Sequence, residues 1–428
     1  MRPVINYINR IFVVLVLVLA TGFGALATPL FQVETDSARF TVGDLDFLGY
    51  FEQSDTGGRH VATLTGHSRE FNDSILVIPE TVFCDEIEYT VNCIGDNVFY
   101  RCENIKEIKF PSSLEKINNS AFMACIGLET LSFPAALREI REHAFDYCIS
   151  VKKIDLGNTG VTELTEYVFY DNQALEKIIL PPDLKIIETC ALGVFSHGNP
   201  LKKLHIPASV EYIADYVLAG LINLESFTVD ENNEYYCVEN GMLMNKEKTK
   251  LIQCPAYGER VVVPEGVKEI AIYAFEQPID VHWPFTIEFP ESLEKIGYAI
   301  FMWCEQIIYA TFNSVNPPTL SSGALDAYLN GIGIAYYPKY VPAQSLEAYK
   351  AAPEWRHFAD EIFPIESEAA IGRIQDELLS NPEATVDAYT TDGRLVSRGL
   401  RVAELRYILP AGLYIVRGNA KTAKLLIP

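Results

Sequence analysis

The sequence predicts a mainly β solenoid with short helical turns, followed by a small C-terminal β-module. Three observations lead there: a segment of about 23 residues recurs along the chain, each copy carries one strand-like alternation, and the composition changes after Ile365. One copy buries too little apolar area to fold alone, so neighbouring copies must stack. We expect the stack to form a curved rod with a parallel sheet along it.

The repeat reads I-x-x-x-A/V-F-x-x-C-x-x-L-x-x-I-x-F-P-x-x-L. Its L-x-x-I-x-F part alternates as a half-buried strand does, and the proline ends the strand because it has no N–H to donate. The Ala-Phe pair fits a short turn or helical segment that closes the coil with an aromatic ring. Copies begin at Ile94, Ile117, Ile140, Leu164, Ile187, Ile213, Ile270 and Ile296.

The first residues predict export. Arg2 and Arg10 precede an apolar run, and the small-residue stretch ends in Ala25-Leu26-Ala27. This order is typical of a secretory signal peptide, here residues 1–27, with an uncleaved anchor as the alternative. No later stretch is long and apolar enough to span a bilayer, so no transmembrane span is expected in the mature chain. Strand-like runs at 38–42, 47–51 and 60–65 predict an N-terminal β cap over residues 28–93.

The formal net charge of -23 bears on possible partners. So acidic a chain repels phosphate backbones and anionic lipids at long range, which argues against nucleic acid or a membrane surface as the main partner. The plainer interpretation of the charge is solubility.

The repeats resemble the BspA-type, or treponemal-type, leucine-rich repeats of bacterial surface proteins. The stretch from Phe227 to Pro255 is similar to the spacer of that family, and the arms Met242–Met244 and Lys250–Ile252 predict a hairpin. The resemblance implies a leucine-rich-repeat solenoid over 94–320, with the hairpin spacer at about 227–263, and a C-terminal cap over 321–365. The cap departs from the family at Tyr337, where valine is commoner.

A different pattern follows a polar linker predicted at 366–381. Residues 382–428 offer four strands, two of them around the turn Thr391-Asp392-Gly393, and predict a β-sandwich-like module. The module resembles the C-terminal sorting domain of type IX secretion, which implies handling by export and sorting machinery; a small stabilising module is the alternative. The similar positions are Val386, Tyr389, Gly393, Arg394, Val396, Leu409, Gly412, Tyr414, Ile415, Val416, Arg417 and Lys424.

Four cysteines share one repeat position: Cys102, Cys125, Cys148 and Cys304, with Asn172 in the same place in a diverged copy. We expect a ladder of buried free thiols, because cysteine packs as a small hydrophobe. Disulfides remain the alternative in an exported chain. The more plausible pairs are Cys84 with Cys93 and Cys237 with Cys254.

The sequence predicts no catalytic, cofactor or metal site. The histidines are scattered, and motifs such as H-E-x-x-H, G-x-S-x-G or a phosphate-binding loop are missing. Residues 230–233 could suggest a calcium loop, but they lack EF-hand spacing and the spacer explains them better. An enzyme, such as a hydrolase of surface glycans, has no supporting residue constellation.

The outward positions of the repeat strands are the one candidate site. The leading hypothesis is a secreted or outer-cell-surface binding protein that uses this face for adhesion to a protein or glycan on a host or neighbouring bacterial surface. The alternatives are a solvated face without a partner and a structural envelope component. The candidate residues are Glu107, Lys109, Thr130, Ser132, Lys153, Asp155, Lys177, Ile179, Lys203, His205, Ser226 and Thr228.

Overall fold

The structure is a computed structural model. It describes residues 37–427 except 43–44, 54–59, 68–73, 85–86, 195–199, 219, 222, 255–259, 277–284, 303, 305–306, 330–332, 336, 366–384, 391–394, 410–411 and 419–420. The predicted signal peptide, the linker and the turn at Thr391-Asp392-Gly393 lie outside the described residues. Among the residues described, no helix combines the length and apolar character needed to cross a membrane.

The N-terminal strands form a meander that leads into the first coil. β3 pairs antiparallel with β2 and parallel with β6, which in turn pairs with the repeats. The first three strands coincide with the predicted runs to within two residues. The strands are β1 Ser37–Val42, β2 Leu45–Gln53, β3 His60–His67, β4 Ile75–Val77, β5 Thr81–Cys84 and β6 Ile87–Ile94.

Each repeat then contributes two short strands to a parallel β-solenoid. The longer strand of each coil is the predicted alternating one, and the shorter strand ends at the isoleucine or leucine that opens the repeat. The strands are β7 Glu107–Lys109, β8 Lys116–Ile117, β9 Thr130–Ser132, β10 Glu139–Ile140, β11 Lys153–Asp155, β12 Glu163–Leu164, β13 Lys177–Ile179, β14 Ile186–Ile187, β15 Lys203–Ile206, β16 Tyr212–Ile213 and β17 Ser226–Val229.

Odd-numbered and even-numbered strands of the repeats form separate ladders. In the odd ladder, β11 pairs parallel with both β9 and β13, so residues of successive coils lie directly opposite one another. In the even ladder, Ile117 lies opposite Ile140, and both are buried. The sequence pattern did not predict this second ladder as strand.

The third side of each coil is a run of turns rather than the helical segment that was one of the two expectations. In the first coil the N–H groups of Asn97, Phe99 and Arg101 donate to carbonyls of the next coil at 2.8–3.0 Å. Asn97 and Arg101 adopt φ of 58° and 59°, in the left-handed region. Left-handed residues recur at equivalent positions of later coils, and their N–H groups again donate to the next coil, as at Ser120 and His143.

Phenylalanine recurs at one position of the repeat, and these side chains form an aromatic column inside the turns. Ring centroids of Phe99 and Phe122 lie 5.0 Å apart, those of Phe122 and Phe145 5.1 Å, and those of Phe145 and Phe169 5.8 Å. All four side chains are at most 1% exposed. Stacked aromatic pairs contribute beyond the area they bury. This column therefore forms the centre of the solenoid core.

The spacer interrupts the coils with three antiparallel strands, one more than the predicted hairpin. They are β18 Tyr236–Glu239, β19 Met242–Asn245 and β20 Lys250–Gln253, and β20 rejoins the even ladder. Asn233, which is 1% exposed, fixes the entry. Its amide donates to the carbonyls of Pro207 and Val210 and accepts the N–H groups of Tyr235 and Tyr236. These protein contacts account for the segment considered as a calcium loop.

The coils resume after the spacer and end in a compact cap. The strands are β21 Arg260–Val262, β22 Glu269–Ile270, β23 Phe285–Phe289, β24 Lys295–Ile296, β25 Ile307–Phe312, β26 Thr319–Leu320, β27 Ala327–Leu329, β28 Gly333–Ala335, β29 Lys339–Pro342 and β30 Ile362–Ile365. A short helix, α1 Leu346–Ala351, and two 3-10 turns, Ala343–Ser345 and Arg356–Glu361, lie between β29 and β30.

Buried aromatics cover the last coil. Trp355 is fully buried, contacts the ring of Phe312 edge-on at 4.9 Å and donates its indole N–H to the carbonyl of Pro318. Lys339 is also fully buried and pairs with Glu361 at 2.5 Å. Burial lowers the pKa of Lys339 to about 8.

The described C-terminal strands form one antiparallel sheet in the order β32-β31-β33-β34. A sandwich was predicted, and the part of this region that the structure describes contains a single sheet. The elements are β31 Thr385–Thr390, β32 Leu395–Arg401, α2 Leu405–Ile408 with the preceding 3-10 turn Val402–Glu404, β33 Gly412–Gly418 and β34 Lys421–Ile427.

Candidate interaction face

The strand face is here defined as the outward side of the strands β4, β7, β9, β11, β13, β15, β17, β21, β23, β25, β29 and β30. All twelve candidate residues lie on it, alternating with inward residues such as Leu131, Ile154 and Leu204, which are at most 1% exposed. Eight of the twelve are exposed, whereas Lys153, Asp155, Ile179 and Ser226 are partly buried.

Strand register arranges these residues in two columns. Thr130, Lys153 and Lys177 lie opposite one another in the first column, and Ser132, Asp155 and Ile179 do so in the second. Farther along, Lys203 lies opposite Ser226, and His205 lies opposite Thr228. Hydrogen-bonded pairing is interrupted between β7 and β9 and between β13 and β15. The twelve residues therefore belong to three ladders.

The charges on the strand face are unevenly balanced. The Lys153 ammonium lies 3.0 Å from the Asp155 carboxylate, which also accepts the N–H of Gly157. The Lys153 hydrogen bond is the main cause of the lowered pKa of Asp155. Lys109, Lys177 and Lys203 have no carboxylate within 4 Å in the described part of the chain. The face thus presents free positive charge on an acidic protein.

Both ends of the strand face are apolar, which the sequence pattern missed. On β4, Ile75 and Val77 are 43% and 51% exposed. At the other end, the ring of Tyr340 lies 5.4 Å from that of Tyr309 and 6.2 Å from that of Phe363. These three residues occupy outward positions of β25, β29 and β30, so the alternation could have found them once the cap strands were recognised.

Buried acids elsewhere serve the fold. Burial raises the pKa of Glu276 to about 7, and its carboxylate accepts the N–H of Gly220, from the other side of the spacer. Gly220 has φ of 76°, and a Cβ there would lie 1.8 Å from the carbonyl oxygen of Val194. No cluster of three or more His, Cys, Asp or Glu side chains that could hold a metal occurs within the described ranges.

The cysteine ladder is buried, as predicted. Three of the four thiols donate to the phenylalanine carbonyl of the preceding coil: Cys125 to Phe99 at 3.1 Å, Cys148 to Phe122 at 3.3 Å and Cys304 to Phe275 at 3.0 Å. The Cys102 sulfur, in the first coil, lies 3.6 Å from His67 Nε2 instead. In the diverged copy, the Asn172 amide donates to the Phe145 carbonyl at 3.2 Å. The shared role of the position is therefore to satisfy a buried carbonyl.

Neither of the two disulfide pairs that the sequence left open is formed. Cys84 lies opposite Ile87 on β6, six residues from Cys93 on that strand. That is about 20 Å, far beyond the roughly 7 Å that a disulfide bridges between Cα atoms. Cys237 lies opposite Met244 on β19, and β19 separates it from the strand before Cys254. Cys93, Cys237 and Cys254 are free thiols.

Comparison with known proteins agrees with this repeat geometry. The model of the BspA type leucine rich repeat region matches the chain in six copies, over residues 92–225, 191–257 and 253–328. Together these matches span more than half of the sequence. The chain belongs to this family.

Solved structures with similar folds include other leucine-rich-repeat proteins. A leucine rich cell surface protein from Faecalibacterium prausnitzii is 21% identical with a TM-score of 0.55, over 78% of this chain and 97% of that one. The pneumococcal vaccine antigen PcpA is 16% identical with a TM-score of 0.48, over 77% and 99%. A leucine-rich repeat protein from Bacteroides ovatus is 18% identical with a TM-score of 0.42, over 73% and 79%. No curated protein matches the sequence.

The BspA-type matches include every one of the twelve candidate residues. They end before Tyr340 and Phe363, so the aromatic end of the strand face lies partly outside the matched repeats. A BspA-type coil thus supplies the scaffold, and the outward side chains of each coil vary on it.

Proposed function

We propose that this protein is a cell-surface adhesion protein that holds a partner along the strand face and catalyses no reaction. The observation that carries the proposal is the row of exposed side chains, fixed in register over a rigid core, with unpaired lysines between apolar ends. Leucine-rich-repeat folds suit such use because stacked strands offer an extended surface.

The binding mechanism is multipoint contact on a preorganised surface. Phe227, Leu204 and Ile154 anchor the backbone beneath the face, so the backbone loses little freedom when a partner docks. Tyrosine and arginine are the side chains most often found at the energetic centres of protein interfaces. Tyr309 and Tyr340 supply that chemistry at the aromatic end. Arg260 lies near them and forms an ion pair with Glu288 at 2.8 Å.

Charge reversal on the strand face is expected to abolish partner capture. The variant Lys153→Glu/Lys177→Glu/Lys203→Glu places like charges against any partner attracted by the lysines, which costs several kcal/mol across an interface, on the order of 10³-fold in affinity. The measurement is capture of surface proteins and glycans from host or neighbouring bacterial cells by the immobilised full chain.

The matched control is Lys185→Glu/Lys268→Glu/Lys295→Glu, which changes the net charge equally. These side chains are 55–57% exposed and lie at the even-numbered ladder, away from the strand face. Capture that survives the strand-face variant would refute the proposed site. Capture by neither variant nor wild type would favour a structural envelope role.

We further propose that the protein is exported to the outer cell surface. The signal-like first residues and the tail similar to a sorting domain support this. Mass spectrometry of the surface form is expected to show a chain that starts at Thr28 and has lost the tail from about residue 366. An intact Pro428 on the exported chain would instead identify the tail as a stabilising module.

A further inference from the structure

Lysines on the strand face follow an order that folding does not require. The exposed residue just before each odd strand alternates in charge from coil to coil: Lys106, Glu129, Lys152, Glu176, Lys202 and Glu225. The Lys202 ammonium lies 2.5 Å from the Glu225 carboxylate, as expected where opposite charges face each other across neighbouring coils. This row neutralises itself.

The next row of side chains, on the strands themselves, is not neutralised in this way. Lys153, Lys177 and Lys203 occupy the same position in three successive coils, and Lys153 and Lys177 lie directly opposite each other. Like charges directly opposite in a sheet destabilise it. These three residues are here called the lysine column. Within the described part of the chain only Lys153 of the three forms an ion pair, with Asp155, and Lys177 acts on the same carboxylate from farther away.

We propose that the lysine column binds a linear anionic polysaccharide, with one charged ring per coil. This inference rests on the proposed function of the strand face and names the partner class. Its first support is charge complementarity. Over these three coils the strand face and the residues before it carry five lysines against two carboxylates, Asp155 and Glu176, on a chain of net charge -23.

Spacing favours a polysaccharide over an acidic peptide. The paired strands β11 and β13, which carry Lys153 and Lys177, lie about 4.8 Å apart, whereas side chains on one side of an extended peptide repeat at about 6.6 Å. A peptide laid along the stack therefore falls out of step with one lysine per coil. One sugar ring is about as long as the spacing between two strands, and it carries hydroxyls around its rim as well as one carboxylate. Each lysine can therefore contact one ring of a linear polysaccharide even though successive carboxylates point to different sides.

The flanking residues suit a sugar chain as well. Hydroxyl side chains precede the column, at Thr130 and Ser132, and follow it, at Ser226 and Thr228. They can donate to and accept from ring hydroxyls. Repulsion from the acidic remainder of the protein is screened beyond about 8 Å at physiological salt, so the local lysines decide close contact.

The test measures binding of the full chain to immobilised polygalacturonate. The fully methyl-esterified polymer, which has the same backbone without charge, is the control. We expect binding to the charged polymer only, weakening as salt rises. Lys177→Gln/Lys203→Gln is expected to lower affinity by about tenfold or more, because two charge-assisted contacts are lost. The matched control Lys185→Gln/Lys268→Gln is expected to bind within about twofold of wild type, because single exposed ion pairs contribute little.

A gain-of-function variant guards against misfolding as an explanation. Asp155→Asn releases Lys153 from its ion pair and keeps an oxygen for the Gly157 N–H, so affinity for polygalacturonate is expected to rise several-fold. Equal binding of the esterified polymer, or indifference to both lysine variants, would overturn the proposal. Equal binding of a single-stranded oligonucleotide with the same number of charges would overturn the polysaccharide assignment. If polygalacturonate fails while partner capture stays lysine-dependent, the proposed function stands and only the partner class is wrong.

Discussion

Replacing Phe145 with alanine is expected to lower the free energy of unfolding by about 3–5 kcal/mol. Phe145 is fully buried, stacks between Phe122 and Phe169, and meets Phe133 edge-on at 5.5 Å. Removing the ring leaves a cavity that the hydrogen-bonded turns on either side cannot close. The measurement is urea unfolding of the full chain followed by circular dichroism.

The control for this substitution is Phe83→Ala. Phe83 is 63% exposed, so the same chemical change is expected to stay within about 0.5 kcal/mol of wild type. A similar loss from both variants would show that the aromatic column is not the centre of the core.

Mild alkali is expected to destabilise the protein through its buried thiols. Burial raises the pKa of Cys102 to about 11 and of Cys190 and Cys254 to about 12, and it also raises the pKa values of Cys125 and Cys148. In the unfolded chain these thiols titrate near 8.5. A group whose pKa is raised on folding contributes stability below its unfolded pKa and loses it as the pH rises toward the folded value.

Between about pH 7.5 and about pH 9.5 the loss is about 1 kcal/mol for each thiol. Lys339 acts in the opposite direction, because its pKa is lowered on folding and stability rises between its folded and unfolded values. It offsets about 2 kcal/mol of the thiol effect. Five thiols outweigh one lysine, so net stability is expected to fall. The measurement is urea unfolding at both pH values under reducing conditions.

The double variant Cys125→Asn/Cys148→Asn is expected to remove about 2 kcal/mol of this alkaline loss. Asn172 already shows that an amide fits the position and caps the same kind of carbonyl without titrating. Serine at both positions is the second variant, since it keeps a hydrogen-bond donor in less volume. An unchanged pH dependence in both double variants would assign the alkaline loss to other groups.

The period of the repeat was enough to predict the stacked coils, the odd-numbered strands and their outward residues. The period was not enough to predict the backbone conformation of the turns. A left-handed backbone is usually signalled by glycine, yet here Asn97, Tyr167 and Tyr273 adopt it. The neighbouring coil imposes that conformation through its carbonyls, and one coil's sequence does not carry this information.

The two disulfides that are not formed and the missed aromatic end have a related cause. Proximity in sequence suggested Cys84 with Cys93, but Cys84 lies opposite the first residue of β6 and Cys93 lies near the other end of that strand. Tyr340 and Phe363 join the strand face only because the cap adds two strands, β29 before the helix α1 and β30 after it. Long-range pairing decides both cases, and local alternation does not report it.

In the turns built on left-handed residues, such as Asn97 to Arg101, alternate N–H groups donate to carbonyls of the next coil. Along these turns the first coil of the stack offers acceptors and the last coil offers donors, so the turn side of the two ends needs chemically different closures. Every internal junction, by contrast, joins the same two edges. Whole coils could thus be lost or duplicated within a lineage without rebuilding either closure, which makes the reach of the strand face an easily varied trait.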